Sequence, residues 1–203
     1  MNFSLVWMRK SAMAAGLLAG AVLLLRPAPS QEKTEPPFRF VAGNRLEFPA
    51  DYREWIFLSS GRGMTYGPSA NPNGPPLFDN VFVHPAAYRE FVKTGQWPDR
   101  TIFVLEIRNA ATEGSINKGG QFQKDVAGIE VEVKYQRLAS TNGWGFFRFD
   151  SDRKPAEQLA QTQSCYTCHR ANGAVEQTFV QFYPTLIPIA MEHKTFKTAE
   201  PRN

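Results

Sequence analysis

The sequence predicts an α+β fold, in which a mainly antiparallel β-sheet is packed against helices. Residues 129–135 alternate strictly between apolar and charged side chains, which is the period-2 pattern of a half-buried strand. Strand-like segments at 101–108 and 144–149 lie on either side of it with short links, and such neighbours usually pair antiparallel. A helix is predicted at 85–94, because Pro stands at its first position and Gly just past its end.

The first thirty residues are predicted to be an export signal. Two basic residues precede an uncharged run at 12–25, which is 14 residues long and shorter than the ~20 residues that a membrane span needs. Small residues at 28–30 allow cleavage before Gln31. The alternative is an uncleaved membrane anchor, because Arg26 directly follows the apolar run. Either reading places the rest of the chain in the periplasm or otherwise outside the cytoplasm.

The charge balance argues against a nucleic-acid partner. The whole chain of 203 residues has a formal net charge of +4, from 23 basic and 19 acidic residues. Three of the basic residues lie in residues 1–30, so the remainder carries 20 basic and 19 acidic residues. No basic stripe of the kind that follows a phosphate backbone is present.

The length fits one domain, and the remaining segments follow from local composition. Within 129–135, the apolar residues are predicted to face the core and Glu130, Glu132 and Lys134 to face outward. The sequence further predicts a linker or N-terminal extension at 31–47, a helix at 49–59, an irregular loop at 61–76, a short strand at 81–84, a polar loop at 114–124, a helix at 155–164 and a tail at 191–203.

The motif that carries chemistry is Cys165-Tyr166-Thr167-Cys168-His169, the C-x-x-C-H signature of c-type haem attachment. Two cysteines three positions apart can reach the two vinyl groups on one edge of the porphyrin. The imidazole of the next residue can then bind the iron. The sequence therefore predicts one covalently attached haem c, bound through Cys165 and Cys168, with His169 as the metal ligand.

Three other interpretations of the cysteine pair remain open. A redox disulfide of the thioredoxin kind would need βαβ units and a parallel sheet, which the strand pattern does not suggest. A zinc site would need four ligands, and the chain has two Cys and three His in all. A structural disulfide between cysteines three apart would close a very small loop and constrain little.

The sixth ligand of the iron is not evident from the sequence. His84 precedes Pro85 and is more typical of a structural histidine, and His193 lies in the polar tail. Met64 lies in the Gly-rich loop and Met191 follows an apolar segment. A methionine ligand would raise the reduction potential. We favour an unfilled or loosely filled distal position.

Several segments besides the motif resemble the cytochrome P-460 and cytochrome c′-beta family. The resemblance spans roughly residues 48–184, and we expect a haem domain at 48–190. The matching segments are the aromatic stretch at 52–55, the strand and helix at 80–88, the Trp-Pro turn and strand at 95–106, the aromatic strand at 143–149, the haem motif, and the Phe-Tyr-Pro at 182–184.

This resemblance implies a mainly antiparallel β fold, a homodimer and a five-coordinate haem iron. Family members either oxidise hydroxylamine and carry a lysine cross-linked to the porphyrin, or lack that lysine and bind nitric oxide in an apolar pocket. Leu105 stands where the resemblance would place the lysine. Lys118 and Lys124 follow in a loop and read as solvated side chains. A general base is not evident before the motif, where only Glu157 is near.

Three functions therefore remain. The first is the binding of nitric oxide or a similar small gaseous or nitrogenous ligand, and the second is hydroxylamine oxidation or a peroxidase-like reaction. The third is simple electron transfer to a redox partner protein. Strand alternation also suggests distal walls from Phe103, Leu105, Phe146 or Phe147, although each is more typical of an ordinary sheet core.

Overall fold

A computed structural model describes residues 36–42, 44–65 and 74–197. The predicted signal at 1–30, the first part of the 31–47 segment and the last part of the tail lie outside the described residues. The described chain forms an α+β fold around one five-stranded antiparallel sheet, in which every strand pairs with the next one in sequence. The strands of this sheet are β3 (Ile56–Arg62), β4 (Leu77–Val83), β5 (Thr101–Ala111), β6 (Phe122–Lys134) and β7 (Trp144–Phe149).

Short elements surround the sheet. A two-stranded hairpin precedes it, formed by β1 (Phe40–Val41) and β2 (Arg45–Leu46). The helices are α1 (Pro85–Thr94), between β4 and β5, and α2 (Ser164–Asn172) and α3 (Ile187–Glu192), both after β7. Within the described residues, α1 is the longest helix at ten residues, and none combines the length and apolarity that a transmembrane span requires.

Both faces of the sheet are covered, which gives the protein two hydrophobic cores. We call the side packed against α1, α3 and the chain between α2 and α3 the helical face. Its buried side chains include Val83, Phe91, Trp97, Phe103, Trp144, Val175, Val180 and Leu186. We call the other side the N-terminal face, and its buried side chains include Phe38, Leu46, Tyr52, Val104, Val131, Val133 and Phe147.

Helix α1 has the bounds that local sequence predicts. His84 caps its first turn, with Nδ1 accepting a hydrogen bond from the Ala86 amide at 3.3 Å. Gly95 ends it in the left-handed region, at φ 68°. A Cβ at Gly95 would lie 2.5 Å from the Cβ of His193, so both the backbone angle and the packing require glycine there.

Two predicted helices are wrong. In the segment 49–59, only Tyr52–Glu54 forms a 3₁₀ turn, and the chain then enters β3, whose backbone pairs with β4. In the segment 155–164, residues 155–160 are extended because their backbone hydrogen bonds go to strands on either side, and residues 161–163 form a turn. The Leu46 amide donates to the Ala156 carbonyl at 2.8 Å, and the helix begins only at Ser164.

The ends of the described chain are more tightly packed than the terms linker and tail imply. Phe38 and Leu46 are buried in the core of the N-terminal face, so part of the 31–47 segment belongs to the folded unit. In the tail, the Thr195 hydroxyl donates to the Gly95 carbonyl at 2.7 Å, and Phe196 packs against the core of the helical face.

Three strands are also longer than predicted, because pairing extends β4, β5 and β6 beyond their apolar patterns.

A buried carboxylate organises the polar part of the N-terminal face. Glu106 of β5 is 3% exposed and accepts hydrogen bonds from the Tyr52 hydroxyl, Arg53 Nη2 at 2.6 Å and Arg108 Nε. Burial alone would raise the pKa of Glu106. The donors outweigh burial and lower the pKa to about 2. Arg53, Glu106 and Arg108, together with Asn80 and neighbouring residues, line a cavity of about 370 Å³.

Candidate haem-binding site

The C-x-x-C-H motif lies on the first turns of α2. Cys165 and Cys168 are three positions apart in a helix, so their side chains project from the same side, one turn apart. Both are free thiols and both are partly buried. Burial raises the pKa of the Cys165 thiol, and the charge of Glu130 raises it further. This thiol therefore lacks the lowered pKa that marks a redox-active cysteine.

The His169 ring is fixed through one of its two nitrogens. Nδ1 lies 2.8 Å from the Gln177 carbonyl oxygen, which can only accept a hydrogen bond, so Nδ1 carries the proton. Two inclined aromatic rings contact the imidazole, whose centroid lies 4.6 Å from that of Phe146 and 4.3 Å from that of Phe179. Nε2 is therefore the ring nitrogen that would be available to a metal.

A tight turn after α2 places the Gln177 carbonyl beside His169. The Gly173 amide closes the helix by donating to the His169 carbonyl at 2.9 Å, and Val175 and Thr178 then pair across a short loop. A Cβ at Gly173 would lie 2.7 Å from the Gln177 carbonyl carbon. Only glycine permits this close approach of backbone to backbone.

Glu132 of β6 lies on the other side of the imidazole proton. Its Oε1 is 3.3 Å from His169 Nδ1, and its side chain is only 12% exposed. Burial by itself lowers the pKa of His169, but the attraction of Glu132 and the hydrogen-bond acceptors around Nδ1 raise it overall. The imidazole Nδ1 is thus hydrogen-bonded to one neutral acceptor, the Gln177 carbonyl, and lies close to one charged group, the Glu132 carboxylate.

Sequence alternation had placed Glu132 and Lys134 on a solvent-facing side. The alternation is correct, because these residues lie opposite the buried Val131 and Val133. The polar side, however, is the helical face, and the chain from α2 onward covers part of it. Lys134 Nζ accordingly donates to the Trp97 carbonyl at 2.6 Å. The role of Glu132 left no signal in the sequence, since a glutamate in an alternating strand normally faces water.

The residues present fit a haem bound through this motif. Three buried side-chain oxygens in the described part of the chain have no hydrogen-bond partner. They are Glu132 Oε1, Glu176 Oε2 and Gln177 Oε1. Glu132 and Gln177 are the two residues that contact His169 Nδ1, and Glu176 is the neighbour of Gln177. Unpartnered buried acceptors beside His169 match a site that a bound, positively charged centre would complete.

Two further carboxylates, Glu130 and Asp79, lie on the helical face, and the charge of Glu130 reaches the motif. Glu130 pairs with Arg148 Nη2 at 2.6 Å, and its charge acts on both Cys165 and Asp79. Burial raises the pKa of Asp79, and the repulsion from Glu130 adds to the effect. The sequence had offered only Glu157 as an acid near the motif, since the strand carboxylates come close to it only through folding.

The structure places the four candidate sixth ligands in different settings. His84 is engaged as the cap of α1 and packs against Trp55, with ring centroids 5.2 Å apart. His193 and Met191 are exposed. Met64 follows β3, the edge strand farthest from β7, and its sulfur lies beside Gly61.

The predicted distal walls and lysines are only partly brought to the site. Phe146 contacts the His169 ring, but Phe147 is a wrong choice because strand alternation puts it on the N-terminal face. Phe103 packs edge-on against Trp97 in the core of the helical face, at 4.7 Å. Leu105 pairs with Glu130 and is half-buried on the helical face. Lys118 and Lys124 are exposed.

Within the described ranges, no group of three or more His, Cys, Asp or Glu side chains is arranged to hold a metal ion by itself. A family model described as cytochrome P460 matches residues 49–180. The matched region takes in the five-stranded sheet, α2 with the motif, and the turn that carries Gln177. No curated protein matches the chain.

Proposed function

The chain belongs to the cytochrome P460 family and is a haem-binding cytochrome, and from this premise we propose that it is an exported mono-haem protein that binds small ligands such as nitric oxide. In this proposal the haem is covalently attached through Cys165 and Cys168. His169 Nε2 binds the iron, and the opposite coordination position is open to the ligand. When bound, the haem supplies an iron centre that can take up a small gas or change oxidation state.

The observation that carries the proposal is the fixed orientation of His169. Its Nδ1 proton is directed at the Gln177 carbonyl, which fixes the orientation of the ring and leaves Nε2 as the nitrogen for the iron. The two thiols lie on the same helix, immediately before this histidine. The chain therefore presents two attachment points and one ligand from a single rigid element.

The settings of the four candidate sixth ligands support an open distal position. His84 is used by a helix cap, and the side chains of His193 and Met191 are exposed. Met64 lies at the opposite edge of the sheet from β7. A five-coordinate iron is the state in which gas binding needs no displacement of a protein ligand.

Oxidation of hydroxylamine by the same iron is the second candidate function. The half-buried carboxyl of Asp79, with its raised pKa, could take or give a proton on the helical face. Against this function, Leu105 occupies the position where the family resemblance would place the cross-linking lysine. Lys118 and Lys124 are exposed. We therefore rank ligand binding above hydroxylamine oxidation.

Absorption spectroscopy of the purified, haem-loaded chain tests the proposal. The ferrous protein is expected to show a high-spin spectrum whose Soret band shifts on addition of carbon monoxide or nitric oxide. The variants His193→Ala and Met191→Ala serve as controls and should behave like the wild type. A low-spin ferrous spectrum that does not respond to either gas would refute the open position and indicate electron transfer instead.

Export and assembly belong to the same proposal. The apolar run at 12–25 supports secretion, and attachment of the haem would then follow outside the cytoplasm. A homodimer is expected from the family resemblance, and size-exclusion chromatography with light scattering measures it directly.

A further inference from the structure

A carboxylate in an unusual setting on β6 carries an inference about how the iron is tuned. The cross-strand neighbours of Glu132 are Phe103 on one side and Phe146 on the other. Its side chain is 12% exposed, and its Oε1 has no hydrogen-bond partner. A glutamate between two phenylalanines is costly to bury unless a polar group covers it from above. Here that group is the imidazole of His169, 3.3 Å away.

No other cation is positioned to neutralise Glu132 along its own strand. Lys134, two residues further on the same face, donates to the Trp97 carbonyl at 2.6 Å and to Glu176 Oε1 at 2.8 Å. Glu130, two residues earlier, has Arg148 at 2.6 Å. The negative charge of Glu132 is therefore directed at the protonated side of the ligating histidine.

We propose that Glu132 is a positioning residue that makes His169 a stronger electron donor to the haem iron. This inference rests on the proposed ligation of the iron by His169. The Gln177 carbonyl orients the ring, and the Glu132 carboxylate places a charge beside the same N–H. Polarisation of that N–H increases electron density at Nε2, which strengthens the bond to iron and favours the ferric state. The reduction potential is thereby held low, and the iron has less tendency to bind a second protein ligand opposite His169.

The variant Glu132→Gln removes the charge and preserves the shape of the side chain. We expect it to raise the reduction potential, with the ferric-to-ferrous ratio at a fixed applied potential falling at least ~tenfold, which is about 59 mV for a one-electron couple. The iron–histidine stretching band of the ferrous protein, measured by resonance Raman spectroscopy, should move to lower frequency. Glu132→Asp, which withdraws the charge by one methylene, should give intermediate values of both quantities.

Glu130→Gln is the matched control. It removes a carboxylate from the same strand and the same face, but that carboxylate is already neutralised by Arg148 and does not contact His169. The charge of Glu130 also acts on His169, but more weakly than that of Glu132, so both readouts should move much less than in Glu132→Gln. A structural role for Glu132 would change stability without moving the iron–histidine band.

The proposal is overturned if Glu132→Gln leaves the potential and the band unchanged, or if Glu130→Gln moves them equally. If Glu132→Gln does not mature, Glu132→Asp decides alone, and an unchanged potential overturns the proposal. Failure of the underlying function is recognised separately, because the wild-type protein would then lack an iron–histidine band altogether.

Discussion

Replacing Glu106 by glutamine should destabilise the protein in a pH-dependent way. The carboxyl is 3% exposed and is held by Tyr52, Arg53 and Arg108 on the N-terminal face. Glutamine removes the charge and presents an NH₂ group to two guanidinium groups that can only donate. Buried polar partners are then left unsatisfied, which is among the most destabilising single changes.

The magnitude follows from the pKa. The Glu106 carboxyl titrates at about 2 in the folded chain instead of near 4.5. At about 1.4 kcal/mol per pKa unit, this difference corresponds to ~3 kcal/mol of folding free energy at neutral pH. Arg53 is 52% exposed, so solvent screens part of its contribution, and we expect a loss of about 2 kcal/mol.

The sign of the pH dependence is fixed by the lowered pKa. The stabilisation is complete above pH 4.5 and is lost as the pH falls toward 2, where the folded carboxyl becomes protonated. Urea unfolding of the haem-loaded wild type and Glu106→Gln at a series of pH values measures this pH dependence. The difference between the two free energies of unfolding should shrink steadily below pH 4.5.

Glu47→Gln is the control, because Glu47 pairs with Arg39 on the surface and should contribute little. A Glu106→Gln protein as stable as the wild type at pH 7 would refute the reasoning. So would a loss of the same size at every pH, since that would show a packing defect and no electrostatic stabilisation.

Three further predictions concern Asp79, Gly173 and the N-terminus. Asp79→Asn should raise the free energy of unfolding at pH 7, because the raised pKa of Asp79 means that its charge opposes folding, and urea titrations should show the gain vanishing below pH 3.8. Gly173→Ala should lower the melting temperature and cost roughly 1–3 kcal/mol, since its Cβ would meet the Gln177 backbone; an unchanged melting temperature would contradict the tight turn. N-terminal sequencing of protein secreted into a bacterial periplasm should begin at Gln31, and an intact N-terminus would support the anchor instead.

Local signals predicted the elements whose stability is local. Helix α1 is specified by its own cap, its proline at the first position and its terminal glycine, so its bounds at Pro85–Thr94 agree with the prediction. The strand Trp144–Phe149 was likewise predicted with its observed bounds, from its aromatic run. In both cases the residues that determine the element lie within it or directly beside it in the sequence.

The two wrong helices show where local signals fail. The apolar spacing at 49–59 fits a helix, but pairing with β4 satisfies the backbone of Ile56–Arg62 as a strand. The polar segment at 155–164 carries good helix formers, yet its amides and carbonyls bond to Leu46 and to Phe146. Long-range hydrogen bonds overrode propensity at both places.

The candidate site likewise has one part that local sequence predicts and another that depends on long-range folding. Cys165, Cys168 and His169 follow from a motif of five residues, and the structure sets them together on α2. Glu132 and the Gln177 carbonyl, which fix the histidine, come from a distant strand and from a turn whose shape depends on Gly173. Their roles depend on the packing of the chain from α2 onward over the polar side of β6. The alternating pattern of one strand does not contain that information.

Mass spectrometry of the mature, haem-loaded protein tests the central claim most directly. The account predicts one species whose mass equals the polypeptide plus one haem after denaturation, and a haem-bearing peptide that contains both Cys165 and Cys168. Replacing both cysteines by alanine should abolish that added mass, whereas Thr167→Ala, an exposed change inside the same motif, should retain it. A denatured wild-type protein with the mass of the polypeptide alone would contradict covalent attachment at this motif.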